Sequence, residues 1–432
     1  MESTWLEGLK IERFPELKSD IKTDVLIIGG GLAGVLCAYF LEQKGVNYTL
    51  VEGERIGMGI TKNTTAKITF GHSLIYSDLI ENFGEFYANQ YLKANKLALD
   101  IYARLCKNTD CDFEKKPAYT YSLYNREKIE NEIKALQTLG CKTKFESEIP
   151  LPFKIAGAIK LEDQAQFNPM KFISQISKNL NIYENTYIRE VKGNIAFTGR
   201  YKITAGKIIV ATHFPFINLH GSYFLKMYQN RSYVVAIENG PEINGMYVDE
   251  AEKGMSFRNY KNLLLVGGGS HRTGKNGGSY NELREFIKKH YKNSSEKYFW
   301  ATQDCMTLDG IPYIGQYSKN TPDLFVATGF NKWGMTSSMV AAMILCDLVI
   351  GKENEFEEVF SPSRNILKPQ LFVNVGETLV NFLTPTPKRC SHLGCSLKWN
   401  KYEHTWDCPC HGSRFEEDGR LIDNPAMRDT NV

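Results

Sequence analysis

Ten cysteines and eight histidines stand in this 432-residue chain, and four of the cysteines crowd its last 43 residues. They fall in two short runs, Cys390-Ser391-His392-Leu393-Gly394-Cys395 and Cys408-Pro409-Cys410-His411-Gly412-Ser413. At this composition a C-x-H-x-x-C arises by chance about 0.004 times per chain, so two Cys/His runs together are not accidental. Thiolates and imidazoles in such clusters bind metal or do redox chemistry, and four of the six groups would satisfy a tetrahedral zinc. The other six cysteines (Cys37, Cys106, Cys111, Cys141, Cys305 and Cys346) are scattered and read as free thiols.

A second constellation lies near the N-terminus. Gly29-Gly30-Gly31-Leu32-Ala33-Gly34 is a G-x-G-x-x-G, a pattern expected about 0.2 times per chain by chance and therefore weak alone. Its setting gives it force: the apolar run 24–29 precedes it, a helical pattern ending at Gly45 follows, and the next apolar run closes on Glu52, 18 residues after Gly34. Gly29 permits a tight turn, Gly31 lets backbone approach a pyrophosphate, and Gly34 lets helix and strand pack closely. Phosphates then face the free N–H groups of the helix start, and Glu52 accepts hydrogen bonds from a ribose. The unit reads as a dinucleotide site.

The elements that must carry these groups follow from periodicity. Residues 24–52 predict strand, helix, strand. Further helices are predicted over 77–106, 127–139 and 170–180, strands over 194–212 and 231–238, and a strand at 324–328 leading through the turn 329–334 into an apolar helix. After Phe360 the composition turns to SPSRNILKPQ and TPTPK, which predicts a linker over 361–387. Charge is nearly balanced, 52 basic against 49 acidic residues, and does not argue for a nucleic-acid partner. The longest apolar stretches, Val25–Leu41 with its four glycines and Met339–Ile350, do not make a membrane span, and the first residues lack the pattern of a secretory signal, so a cytoplasmic location is expected.

Several segments in order, GMGITKNTTAKIT (57–69), AQFNP (165–169), KIIVAT (207–212), LLLVGGGSHRTG (263–274), TLDGIPYIG (307–315) and LFVATGFNKWGMTSS (324–338), give the chain a resemblance to the D-amino-acid oxidase and sarcosine oxidase family of flavoproteins. The resemblance implies FAD rather than NAD. It also implies an α/β Rossmann-like FAD-binding domain assembled from about 20–75, 155–215 and 305–360, and an α+β antiparallel-sheet substrate domain from about 76–154 and 216–304. Thr65 and Ala66 join Gly29, Gly31, Gly34 and Glu52 as cofactor-binding residues, and Gly334, Met335 and Thr336 bring a helix N-terminus to the flavin pyrimidine edge. Such enzymes oxidise a C–N bond, here of a small amine or amino acid. Lys67 stands where a basic residue often lies near the flavin ring; its bland alternative is a lysine paired with a surface carboxylate. Arg258, Arg272 and Tyr233 are candidates for holding a substrate carboxylate. His72, His213 and His271 read as structural.

The tail resembles a Rieske [2Fe–2S] site, in which two loops each deliver one Cys and one His. That resemblance assigns Cys390 and Cys408 to one iron, His392 and His411 to the other, a disulfide to Cys395 and Cys410, and a hydrogen bond toward the cluster to Ser413. The module, 388–432, is small and all-β, and short for such a domain, so its shielding is expected to come from the flavoprotein body. Together the halves resemble a bacterial family of FAD-dependent oxidoreductases with a C-terminal Rieske domain. The expectation is a dehydrogenase that passes electrons from flavin to cluster to an outside acceptor; the alternatives are a redox sensor without turnover and an oxidase with a zinc-filled tail.

Overall fold

The computed structural model describes residues 3–432. The strand Ile21–Ile28 is buried without interruption from Val25 to Ile28, as a continuous apolar run in a covered parallel sheet must be. It pairs in parallel with Tyr48–Val51 on one side and Lys202–Val210 on the other, with Ile28 level with Val51 and Val210. The sheet continues through Leu324–Thr328 to Tyr313–Gln316 at one edge and to Ile182–Tyr183 at the other. Its only antiparallel pairing along this path, among the described residues, is at the Tyr313–Gln316 edge. The helices Leu32–Gln43 and Gly334–Val349, apolar almost all round, pack together in the largest core cluster.

A nine-stranded sheet forms the other half of the body. Met227–Glu238 lies between Ser295–Thr307 and Leu263–Arg272, antiparallel to both, and the path runs on through Ser256–Tyr260, Met246–Asp249, Glu114–Ser122 and Gly157–Gln166 to Lys67–Ile68. Met246–Asp249 meets Glu114–Ser122 in parallel, because a long crossover separates them, so the expected antiparallel sheet has one exception. The predicted helix over 77–106 spans Ile75–Leu105 and is broken at Gly84, whose φ is 84°. The predicted strand over 194–212 divides into Ile195–Phe197 and Lys202–Val210, an antiparallel pair.

The tail holds four short antiparallel strands, Lys398–Asn400, Thr405–Asp407, Arg414–Phe415 and Leu421–Asp423, around a small core that includes all four of its cysteines. The interval 361–387, predicted as linker from its composition, instead contains the helix Pro369–Leu383. Proline at its first position starts it without cost, since the missing N–H has no partner there in any helix.

Candidate functional site

A cavity of about 1090 Å³ opens between the two large sheets. At one end it meets the glycine turn. Gly29 has φ 110°, and a Cβ there would lie 2.6 Å from the Ala211 carbonyl oxygen; a Cβ on Gly34 would lie 1.9 Å from the Gly29 oxygen. Those two glycines serve packing. Gly31 differs: an added Cβ would meet only Thr61 Oγ1, at 3.6 Å, and the residue lines the cavity and caps its helix without a side-chain acceptor. The helix start thus faces open space suited to a pyrophosphate. Glu52 also lines the cavity; its oxygens accept from Gly30 N–H (2.6 Å) and Glu54 N–H (2.9 Å), and burial raises its pKa. Each carboxylate oxygen retains a second lone pair for a ribose hydroxyl.

At the far end Gly334 and Met335 line the cavity at the N-terminus of Gly334–Val349, again without a side-chain cap. Thr336 is buried, and its hydroxyl donates to Thr69 O and meets His72 Nε2. His72 also bonds Tyr91 and stacks on Trp333, so it is structural. Thr65 and Lys67 line the wall between; Ala66 is buried behind them at φ 52°. Lys67 Nζ donates to Thr65 Oγ1 (3.0 Å), and no carboxylate among the described residues reaches it as an ion-pair partner, so the surface-pair alternative fails. Burial, and after it the Arg258 charge, lowers its pKa to about 7.

Two residues predicted to hold a substrate carboxylate do other work. Arg258 is wholly buried outside the cavity lining, and its Nη1 donates to the carbonyls of Thr65 and Ala66, both at 2.8 Å; it positions the loop that carries Lys67. Arg272 points at the tail. Its Nε and Nη2 donate to Pro409 O and Cys410 O, at 2.9 and 3.0 Å. Tyr233 does line the cavity, with its hydroxyl on His271 Nε2. Two lining residues went unnoticed in the sequence: Lys332, whose Nζ donates to Ser270 Oγ (2.9 Å), and Asp304, whose pKa burial pushes up to about 6 against the opposing charge of Lys332. Asp304 sits in an ordinary strand and Lys332 is a lone lysine in a turn, so no local spacing marks them.

The tail forms the remaining wall, contributing Arg414 and Asp423 to the lining. Its two loops are built alike. Cys390 N–H bonds Cys395 O and Cys408 N–H bonds Ser413 O, both at 2.9 Å, and Gly394 and Gly412 take positive φ, at 77° and 84°. Cys395 and Cys410 are joined by a disulfide, so of the three close sulfurs Cys395, Cys408 and Cys410 only Cys408 is a free thiol. Cys390 and Cys408 are buried and interact with each other, and Ser413 reaches the Cys390 sulfur while its oxygen accepts from Ala426 N–H. The rings of His392 and His411 lie 5.1 Å apart. Both nitrogens of His411 and Nδ1 of His392 are buried with no hydrogen-bond partner. Buried polar atoms are rarely left so, and two thiols and two histidines with unclaimed nitrogens fit a two-iron cluster bound by Cys₂ and His₂.

The body holds this tail closely. Gln229 Nε2 donates to His411 O and Asn424 O, Gln303 Nε2 to Gly412 O, and Asn424 Nδ2 to Thr212 O and Phe214 O, all between 2.7 and 2.9 Å. Arg231 and Glu403 form a buried ion pair across the interface.

Comparison with known proteins agrees with this geometry. Residues 24–348 match the FAD dependent oxidoreductase family (DAO), and residues 351–432 match the Rieske [2Fe-2S] domain. The Rieske 2Fe-2S iron-sulfur protein YhfW of Bacillus subtilis is 34% identical over 99% of this chain and 96% of its own. The cytochrome b6-f complex iron-sulfur subunit 3 of Nostoc sp. is 49% identical over 37 residues, 9% of this chain and 21% of that one. Glycine oxidase from Geobacillus kaustophilus has the same fold, with a TM-score of 0.67 at 19% identity over 80% of this chain and 99% of that one. No described helix is long and apolar enough to cross a membrane. The expected architecture, a Rossmann-like FAD-binding fold with a second sheet, antiparallel but for one parallel pairing, and a small all-β module, is the one observed, and FAD and a [2Fe–2S] cluster are its cofactors. The chain belongs to the FAD-dependent oxidoreductase family and carries a Rieske [2Fe–2S] domain in its C-terminal part.

Proposed function

We propose that the protein oxidises the C–N bond of a small amino acid or amine and passes the electrons by way of the Rieske centre to an external acceptor. One observation carries the second half: the cavity and the cluster loops share a wall. Thr212 and His213 line the cavity, and the next residue, Phe214, stands edge-on to His411 with ring centroids 6.4 Å apart. FAD supplies a two-electron acceptor in the cavity and the iron–sulfur centre a one-electron carrier beside it.

The chain's own groups account for the first half. An α-amino acid is a zwitterion, and the cavity offers Lys332 Nζ with Ser270 Oγ for a carboxylate and Asp304 for an ammonium group. Oxidation needs the amine neutral. Lys67 Nζ, with a pKa of about 7, is largely deprotonated above that pH and takes the ammonium proton. Arg258 fixes the backbone of Thr65 and Ala66 and so holds Lys67 in place. That the structural neighbour is named a glycine oxidase supports an amino-acid substrate at the level of fold only.

Anaerobic mixing with a panel of amino acids and amines tests the reading. The expected result is loss of the flavin absorbance followed by the EPR signal of a reduced cluster. Bleaching with no cluster signal refutes the transfer, and no bleaching by any amine or amino acid refutes the substrate class.

A further inference from the structure

The helix Pro369–Leu383 is inside out. Its buried residues are Asn374 and Asn381. Asn374 Oδ1 accepts from Arg272 Nη1 (2.9 Å), Asn381 accepts from Ser396 through its backbone and its side chain, and Glu377 pairs with Lys275 at 2.6 Å. The opposite face carries Phe372, Val373, Leu379, Val380, Phe382 and Leu383, each more than half exposed and Leu383 the most at 73%. With 3.6 residues per turn, Phe372, Leu379 and Leu383 share an arc of about 40° and the whole apolar face spans about 180°. Leu367 precedes this face and is exposed too, and the patch extends toward the cluster. Phe382 lies 3.6 Å from where a Cβ on Gly394 would stand, and exposed Leu393 follows His392. A contiguous apolar surface of this kind marks an interaction site.

From these observations we infer that the helix lies on the surface of an anionic lipid bilayer and turns the His392 edge of the tail toward the membrane. Charge and hydrogen-bonding capacity select this occupant. Between Leu367 and Leu393 stand Lys368, Lys388 and Arg389 against Glu377, which gives 3 − 1 = +2, and Glu377 is already paired with Lys275. Both ends of the helix are therefore cationic. A second copy docked on this face, parallel or antiparallel, sets cation against cation, whereas anionic headgroups meet both ends favourably. A protein interface carries about one hydrogen bond per 100–200 Å². The exposed arc offers none, since Thr378, at its margin, turns its hydroxyl back onto Asn374 O. An interfacial helix requires none, and its binding grows with apolar area and with attraction to anionic lipid. The docking concerns the surface beside the cluster and does not depend on the substrate.

Flotation of the full-length holoprotein with vesicles tests it. The protein should float with vesicles of phosphatidylcholine and phosphatidylglycerol at low salt and much less with phosphatidylcholine alone. The triple variant Phe372→Ser, Leu379→Ser, Leu383→Ser should lose about tenfold or more of the bound fraction while keeping its flavin and cluster absorbance and its melting temperature. Lys368→Glu should weaken binding to the anionic vesicles only. The inference is overturned if wild type does not float with anionic vesicles, or if the triple variant floats equally well. It is overturned also if sedimentation shows a wild-type dimer that the triple variant dissociates while neither floats. Because flotation involves no turnover, its outcome is independent of whether the protein oxidises amines.

Discussion

The two cluster loops have the same backbone plan and opposite surroundings. Loop 408–413 is pressed into the body: its carbonyls at Pro409, Cys410, His411 and Gly412 accept from Arg272, Gln229 and Gln303, and His411 is buried against Phe214 and Phe224. Loop 390–395 faces outward, with Leu393 exposed, Gly394 half-buried beside Phe382, and His392 Nε2 bonded to Asn218 Oδ1 at 3.0 Å. The repeated local chemistry makes a candidate ligand set, while the difference in packing gives that set a direction: one histidine against the body and the other toward the surface.

The largest effect expected on this contrast comes from its glycines. At Gly412, φ is 84° and an added Cβ would lie 2.5 Å from Gln229 Cβ, so Gly412→Ala combines a left-handed backbone penalty with a clash that pushes the tail off the body. A loss of about 3 kcal/mol or more and of most of the cluster iron is expected, against about 1 kcal/mol for Gly394→Ala, whose nearest neighbour is 3.6 Å away. Thermal unfolding with iron and sulfide analysis measures both; equal losses would mean that the two loops are not differently anchored.

Lys67→Met should act on the cavity and leave the tail untouched. A lysine lowered from 10.5 to about 7 is protonated below that pH and neutral above it, so flavin reduction by substrate should rise with pH through about 7 in the wild type. The variant should be slower by about 100-fold, with that limb of the profile flattened. Stopped-flow reduction across pH reads this directly. An unchanged profile would remove Lys67 as the proton acceptor.

The features legible in sequence were those coded by neighbours in the chain. Glycine spacing between a strand and a helix marks the cofactor turn, and Cys and His a few residues apart mark the cluster loops, because each signal is local. Arg258 and Arg272 were misread because both lie at sheet positions where only the pairing partners decide which way a guanidinium can donate. Arg272 sits level with Asn230 on the neighbouring strand and faces the tail. Asp304 owes its burial to the pairing of Ser295–Thr307 with Met227–Glu238, which its own segment does not announce. In Pro369–Leu383 the apolar residues do recur at helical spacing, but flanking prolines and serines suggested a linker, and nothing in the pattern says that the apolar face looks outward.

Arg272→Ala should separate the two halves kinetically. It removes donors to Pro409 O, Cys410 O and Asn374 Oδ1 without touching the cavity lining. Flavin reduction is expected to persist, and the following cluster reduction to slow by about tenfold as the inner loop loosens. Equal rates in both phases would show that Gln229, Gln303 and Asn424 suffice to seat the loop.

The smallest effect belongs to Ser413, wholly buried and in contact with the Cys390 sulfur. A hydroxyl that donates to a ligating sulfur stabilises the more negative, reduced cluster, and so raises the potential. If that hydrogen bond contributes about 1 kcal/mol, Ser413→Ala should lower a one-electron potential by about 40 mV. Iron content should stay intact, because the inner loop keeps its contacts with Arg272, Gln229 and Gln303. A redox titration followed by EPR decides the point. An unchanged potential would mean that the Ser413 hydroxyl serves only to accept from Ala426 N–H, and that the asymmetry between the loops lies in packing alone.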